Sequence, residues 1–155
     1  MSLTSTANVP SPGSYSLHAV SALCKKMNEM NILIADDHPA TRRGLQEILA
    51  DALPSAQFGN AANADEVIKG LSETKYDLVL LDINMPGRSG LDTLQDIKRL
   101  LPQLPVVMVS VHSEEQYAQP CLRLGAAAYI NKNSASEKLV PSVMRILGER
   151  RNGKS

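Results

Sequence analysis

The sequence has no excess charge of either sign: 16 Lys and Arg are balanced by 16 Asp and Glu. No overall positive field draws the chain to nucleic acid or anionic lipid, so DNA binding by this chain alone is disfavoured. Cysteine is scarce, with only Cys24 and Cys121 available for a disulfide. No uninterrupted apolar run reaches the ~18 residues of a spanning helix, so no membrane segment is expected. A P-loop and a dinucleotide-binding fingerprint are also missing. These absences lead to the expectation of a soluble protein in a reducing cytoplasm.

What is present suits one packed domain: 155 residues, 43% of them apolar and 21% charged. Residues 31–148 carry 14 acidic and 11 basic side chains, a net of −3. That acidic middle is expected to be the domain. The opening MSLTSTANVPSPGSYS is rich in Ser, Thr, Pro and small residues without periodicity, so residues 1–30 are expected to form a mobile tail. LHAVSALC within it is short and has no cationic segment before it, unlike a signal peptide. Met27 and Met30 are equally candidates for a natural start. At the other end Gly148 is expected to stop a helix after MRIL, with residues 149–155 starting a linker.

Between these ends the apolar period switches repeatedly. Short runs at 32–35, 57–59, 78–81, 106–109 and 127–130 read as strands. Each is followed by apolar residues at helical spacing, such as Leu45, Ile48, Leu49 and Ala52, or Leu139, Val143 and Ile146. Asn63 with Glu66, and Ser113 with Gln116, resemble capping boxes. Five βα units imply a doubly wound α/β fold with a five-stranded parallel sheet, helices on both faces, and the common strand order 2-1-3-4-5.

Ligands of such a sheet sit outside the carboxyl ends of strands one and three. Strand one ends in Asp36-Asp37 and strand three in Asp82. Singly, each acid reads as a solvated loop residue near a helix N-terminus; together at this crevice they would repel one another unless a cation joined them. Few hard oxygen donors suit Mg2+, which keeps several waters and shares its shell with phosphate. Ser110 and Lys132 close the last two strands on the same edge. A hydroxyl and an ammonium facing a metal-bound carboxylate form a receptor for a tetrahedral anion. With Asp82 as nucleophile, the product would be an aspartyl phosphate.

The strings ILIADDHP, LVLLDINMPGRSG, VVMVSVHSE and GAAAYINKN, in that order, resemble the response-regulator receiver domains of two-component signalling. The resemblance covers residues 31–148. It implies that Asp82 accepts a phosphoryl group from a histidine kinase and hydrolyses it slowly without being an enzyme in the usual sense. Asp37, Asp82 and the main-chain carbonyl of Asn84 would ligate Mg2+, with Asp36 slightly further out. Ser110 and Lys132 match the hydroxyl and lysine that hold the phosphoryl oxygens. Tyr129 matches the aromatic switch position; read from the residues alone, it is equally a strand-end aromatic half buried on the fourth helix. His38-Pro39 and the hydroxyl residue being Ser resemble the subfamily whose receivers precede a helix-turn-helix DNA-binding domain. The expected output is therefore transcription regulation through a domain outside this chain, with a homodimer through the fourth helix, fifth strand and fifth helix. A degenerate or stand-alone receiver acting as a protein-binding module is the alternative.

Two prolines depart from a regular pattern. Pro120 and Pro141 lie inside the fourth and fifth helical segments, where each costs ~3 kcal/mol or more in a helix interior. The stable helices are therefore expected to start at or near each proline, leaving SEEQYAQ and SASEKLV as loose or 3₁₀ turns. His38 and His112 lie near the acids, but one histidine beside carboxylates is a weak transition-metal signal. His112 can overhang the acceptor and tune the lifetime of an acyl phosphate. Other classes fit less well. A flavodoxin-like carrier needs a hydroxyl- and Gly-rich loop after strand one, where ADDHPATRR puts two anions. An aspartyl phosphatase usually has its nucleophile on strand one, with a second Asp two residues later.

Overall fold

The alternation of buried runs and amphipathic segments resolves into five strands and five helices in the computed structural model, which describes residues 29–151. In order these are β1 (Asn31–Ala35), α1 (Pro39–Ala52), β2 (Gln57–Ala61), α2 (Ala64–Glu73), β3 (Leu78–Leu81), α3 (Gly90–Leu100), β4 (Val106–Ser110), α4 (Glu114–Arg123), β5 (Ala128–Asn131) and α5 (Ala135–Arg151). A 3₁₀ turn at Lys132–Ser134 leads into α5. All neighbouring strands pair parallel in the order β2-β1-β3-β4-β5, as the sequence pattern predicts. The expected mobile tail and the residues after 151 lie outside the described residues, apart from Glu29 and Met30.

Strand periodicity divides the core in two. Ile32, Ile34, Leu78, Leu80, Val107 and Val109 face α1 and α5, burying Leu45, Leu49, Leu139 and Val143. Leu33, Val79, Leu81, Val106 and Met108 face the opposite way, onto Val67 of α2, Leu94 and Ile97 of α3, and Cys121 of α4. Period-two side chains buried on both faces are what a parallel sheet covered by crossover helices requires. Burial pushes the Cys121 thiol up to about 11, so it stays a neutral apolar filler.

The two prolines do not break their helices, which corrects the expectation from sequence. α4 is continuous through Pro120, and α5 is continuous through Pro141. The carbonyls that lose a partner belong to Gln116 and Glu137, both exposed, so water can replace the missing N–H. Against ~3 kcal/mol per proline stand the buried Leu139, Val143, Ile146 and Leu147 of α5, each worth roughly 1.5–3 kcal/mol. α4 is secured by buried Cys121 and by Ser113 Oγ, which accepts from Gln116 N at 3.3 Å. The second capping signal also forms: Asn63 Oδ1 accepts from Glu66 N at 2.9 Å.

Gly148 does not stop α5 either. The positive-φ glycines among the described residues are Gly87 and Gly125, and α5 runs on to Arg151. Its last turn is held because Arg150 Nη1 donates to Asp77 O at 3.1 Å and to Asp77 Oδ1 at 3.3 Å. Asp77 Oδ2 in turn accepts from Asn31 N at 2.9 Å, tying this helix end to the starts of β1 and β3.

The loop after β3 depends on a glycine at a close approach. A Cβ on Gly90 would lie 2.0 Å from Asp82 O and 2.7 Å from Ile83 Cα, both main-chain atoms. Ser89 Oγ caps α3 by accepting from Asp92 N at 3.2 Å. Arg88 forks onto Asp96 at 2.8 and 3.1 Å, tethering the loop to the same helix. Gly90→Ala is therefore expected to destabilise the fold by on the order of 3 kcal/mol. Gly148→Ala, where a Cβ meets nothing within 4 Å, is expected to stabilise it by roughly 0.5–1 kcal/mol. Urea unfolding followed by far-ultraviolet circular dichroism checks both; destabilisation by Gly148→Ala would restore the helix stop there.

Candidate functional site

The carboxyl ends of β1 and β3 are neighbours because these strands pair, with Ala35 opposite Leu81. The ladder continues one residue into the acids: Asp82 N donates to Ala35 O at 3.0 Å, and Asp36 N donates to Ala61 O at 2.9 Å. Main-chain bonds thus hold both carboxylates on a rigid sheet edge, with Asp36 1% and Asp82 4% exposed. Lys132, from the end of β5, reaches across to them. Its Nζ lies 2.6 Å from Asp36 Oδ2 and 3.4 Å from Asp82 Oδ2.

One ammonium cannot neutralise this crevice. Burial, the largest cause, pushes the Asp82 carboxyl above its usual range; Lys132 pulls it down, Asp36 pushes it up, and the Asn84 N–H pulls it down. Asp37 stands beside the pair and is more exposed. Asp36 is the more enclosed of the two. The oxygens Asp36 Oδ2 and Asp37 Oδ1 are buried and accept no properly formed hydrogen bond, Asp36 Oδ2 meeting Lys132 as an ion pair instead. Asp36 facing Asp82 across one ammonium, with Asp37 beside Asp36 and buried oxygens under-satisfied, fits a hard divalent cation held by few protein oxygens.

The remaining residues meet at the end of β4, around His112. Ser110 is fully buried, and its Oγ accepts from His112 N at 3.1 Å. The hydroxyl of the half-buried Tyr129 donates to His112 O at 2.7 Å. Burial, the largest cause, pushes the Tyr129 phenol up, while the neighbouring Ser110 hydroxyl pulls it down. Asn84 N donates to Asp82 Oδ1 at 3.3 Å, and its side chain lies on the surface, where Asn84 Nδ2 meets His112 Nε2 at 2.7 Å. With Asn84 Nδ2 as donor, Nε2 accepts.

Asp36, Asp82 and Lys132 are therefore brought into direct contact, Asn84 joins through its main chain, and Ser110 and Tyr129 meet at His112. Sequence reasoning missed two supporting residues. The Arg42 guanidinium, one turn into α1, donates to the Asp36 carbonyl. Asn131, one residue before Lys132, donates from Nδ2 to His112 O at 3.0 Å and caps the 3₁₀ turn by accepting from Asn133 N at 2.8 Å. Its place at the end of β5, beside Ser110 in the sheet, was the available signal.

No helix among the described residues is long and apolar enough to cross a membrane. A family model of the response regulator receiver domain matches residues 32–144. The chain is similar to the transcriptional activator protein ExaE of Pseudomonas putida, 34% identical over 76% of this chain and 55% of that protein. It is also similar to the response regulator UvrY of Escherichia coli K12, 30% identical over 79% of this chain and 56% of that protein. The chain spans about half the length of these curated relatives. A solved two-component response regulator of the LuxR family from Aurantimonas superposes with a TM-score of 0.71 at 27% identity, covering 77% of this chain and 86% of that one. Acids on β1 and β3, a lysine after β5, the strand order and the match over residues 32–144 together place this chain in the family of response regulator receiver domains.

Proposed function

We propose that Asp82 takes a phosphoryl group from the phosphohistidine of a sensor kinase and that the resulting aspartyl phosphate switches the output of a longer regulator. The observation that carries this reading is the convergence of Asp36, Asp82 and Lys132 at one sheet edge, with Lys132 within 3.4 Å of the acceptor. A carboxylate oxygen of Asp82 attacks phosphorus; the phosphorus–nitrogen bond breaks and its electron pair returns to the kinase imidazole. Asp36, Asp37, Asp82 and the Asn84 carbonyl would hold Mg2+, which when bound supplies positive charge against the phosphoryl oxygens. Lys132 neutralises a second oxygen, and the Ser110 hydroxyl, at the end of β4, donates to a third. Slow attack of water on phosphorus returns the free carboxylate and inorganic phosphate.

The signal would leave through His112. Its carbonyl collects the Tyr129 hydroxyl and the Asn131 amide, and its N–H is held by Ser110. Movement of Ser110 toward a phosphoryl oxygen pulls on this junction and biases the face made by α4, β5 and α5, where a homodimer would form. Transcription regulation by a DNA-binding domain outside this chain follows the likeness to a relative named as a transcriptional activator. A cytoplasmic location agrees with a kinase partner. The receiver unit extends through α5 to Arg151.

Incubation of the native chain with a small acyl-phosphate donor, followed by acid quench and intact-mass measurement, is expected to give one Mg2+-dependent phosphoryl adduct. Asp82→Asn is expected to give none. No adduct on folded native protein would overturn the proposal and leave a protein-binding module. Lys132→Ala is expected to slow adduct formation by on the order of 10²-fold in the same assay. His112→Ala is expected to change the decay rate of the adduct, because its ring, tilted against that of Tyr117 at 4.7 Å, meets the side chain of Asn84, two residues after Asp82; an unchanged decay rate would remove His112 from that role.

A further inference from the structure

We propose that Asn131 is a positioning residue of the phosphoryl site, its side-chain amide holding Lys132 on the two buried carboxylates by tying the turn that carries the lysine to the loop after β4. The inference rests on the reading of Lys132 as the group that neutralises a phosphoryl oxygen, and adds to it the residue that fixes where the ammonium stands.

Lys132 needs such a device. Its ammonium ends a flexible four-carbon stem, yet it stands 2.6 Å from Asp36 Oδ2 and 3.4 Å from Asp82 Oδ2, with the side chain only 15% exposed. The stem starts from the first residue of a single 3₁₀ turn, Lys132–Ser134, immediately after β5. A turn of this kind has few bonds of its own, and poorly aligned ones. At its far end Ala135 N donates to Lys132 O; at its near end Asn131 Oδ1 accepts from Asn133 N at 2.8 Å. The near end sets the direction in which the lysine leaves the strand.

A second bond separates Asn131 from an ordinary cap. Its Nδ2 donates to His112 O at 3.0 Å, across 19 residues of sequence. Ser110, the last residue of β4, stands opposite Asn131 in the sheet, so the amide bridges the two strand ends one residue before the lysine. Its two partners are of opposite kind. A carbonyl takes only a donor and a main-chain N–H gives only to an acceptor, so this amide has one orientation and cannot flip without losing both bonds. Half-buried and engaged at both ends, Asn131 gives the base of Lys132 a fixed relation to the same carbonyl that the Tyr129 hydroxyl reaches.

The test measures the rate of adduct formation with a small acyl-phosphate donor over a range of Mg2+ concentrations, on the full chain and on variants that circular dichroism shows to be folded at the assay temperature. Asn131→Ala is expected to lower the maximal rate ~10-fold, the order of loss that follows misplacement of a group at a reacting centre. Asn131→Ser, whose hydroxyl can still accept from the main-chain N–H two residues on, is expected to stay within about 3-fold of native. The Mg2+ concentration giving half the maximal rate is not expected to rise in either variant, because Lys132 competes with a cation for Asp36 and Asp82 and loosening it removes a competitor. In a Lys132→Ala background, Asn131→Ala is expected to change the rate by less than about 2-fold, since the ammonium through which it acts is gone. Equal slowing in both backgrounds, a serine variant no faster than the alanine variant, or a loss confined to Mg2+ affinity would overturn the inference and leave the chemistry of the site standing. Absence of any adduct on folded native protein would overturn the reading of Lys132 beneath it as well.

Discussion

Lys132 Nζ sits 2.6 Å from one buried carboxylate and 3.4 Å from another, and the chemistry of this domain depends on that imbalance of one cation against two enclosed anions. Asp37 adds a third negative group at the rim. Burying like charges this closely is costly unless each is matched. The fold accepts the cost because main-chain bonds from Asp36 to Ala61 and from Asp82 to Ala35 leave the carboxylates nowhere else to go. What results is a crevice with unmet demand for positive charge and a carboxylate already lifted above its usual range.

The same sheet edge joins the crevice to the rest of the molecule. Gly90 lets α3 begin in contact with the main chain of Asp82, so the start of that helix is tied to the strand end that carries this carboxylate. On the other side His112 is a junction: its N–H, carbonyl and ring are each engaged, by Ser110, by Tyr129 with Asn131, and by Asn84. Three elements, β4, β5 and the loop after β3, therefore share one residue. A hydroxyl that moved at Ser110 could not do so without disturbing this junction, and the proposed relay to α4 and β5 rests on that coupling.

Much of this was legible in the sequence because parallel sheets leave strong marks. Runs such as LVLL and VVMV, separated by residues at helical spacing, allow few folds, and the strand order then brings Asp36 and Asp82 to one crevice. The failures came from rules that depend on surroundings. Pro120 and Pro141 were read by the cost of a lost hydrogen bond, but Gln116 and Glu137 face water and several buried apolar side chains outweigh that cost. Gly148 was read as a stop because glycine often is one; the contact of Arg150 with Asp77, 73 residues away, carries the helix past it. Arg42 acts through the main-chain carbonyl of Asp36, which no residue pattern marks, and Asn131 acts through that of His112, its place at the end of β5 being the one sign of it.

If excess negative charge is the governing feature, it must appear in stability as well as in chemistry. A carboxyl raised in the folded state binds its proton more tightly there than in the unfolded chain, so its stabilising contribution is lost as pH rises through the folded value, and its ionised form opposes folding at neutral pH. Removing that charge should relieve the strain, and a cation should do the same for native protein by mass action. Thermal unfolding at neutral pH, of native protein and Asp82→Asn with and without Mg2+, tests this directly. The account predicts a higher Tm for Asp82→Asn than for metal-free native protein, with Mg2+ raising the native Tm and moving that of the variant much less. A lower Tm for Asp82→Asn together with a native Tm indifferent to Mg2+ would contradict it.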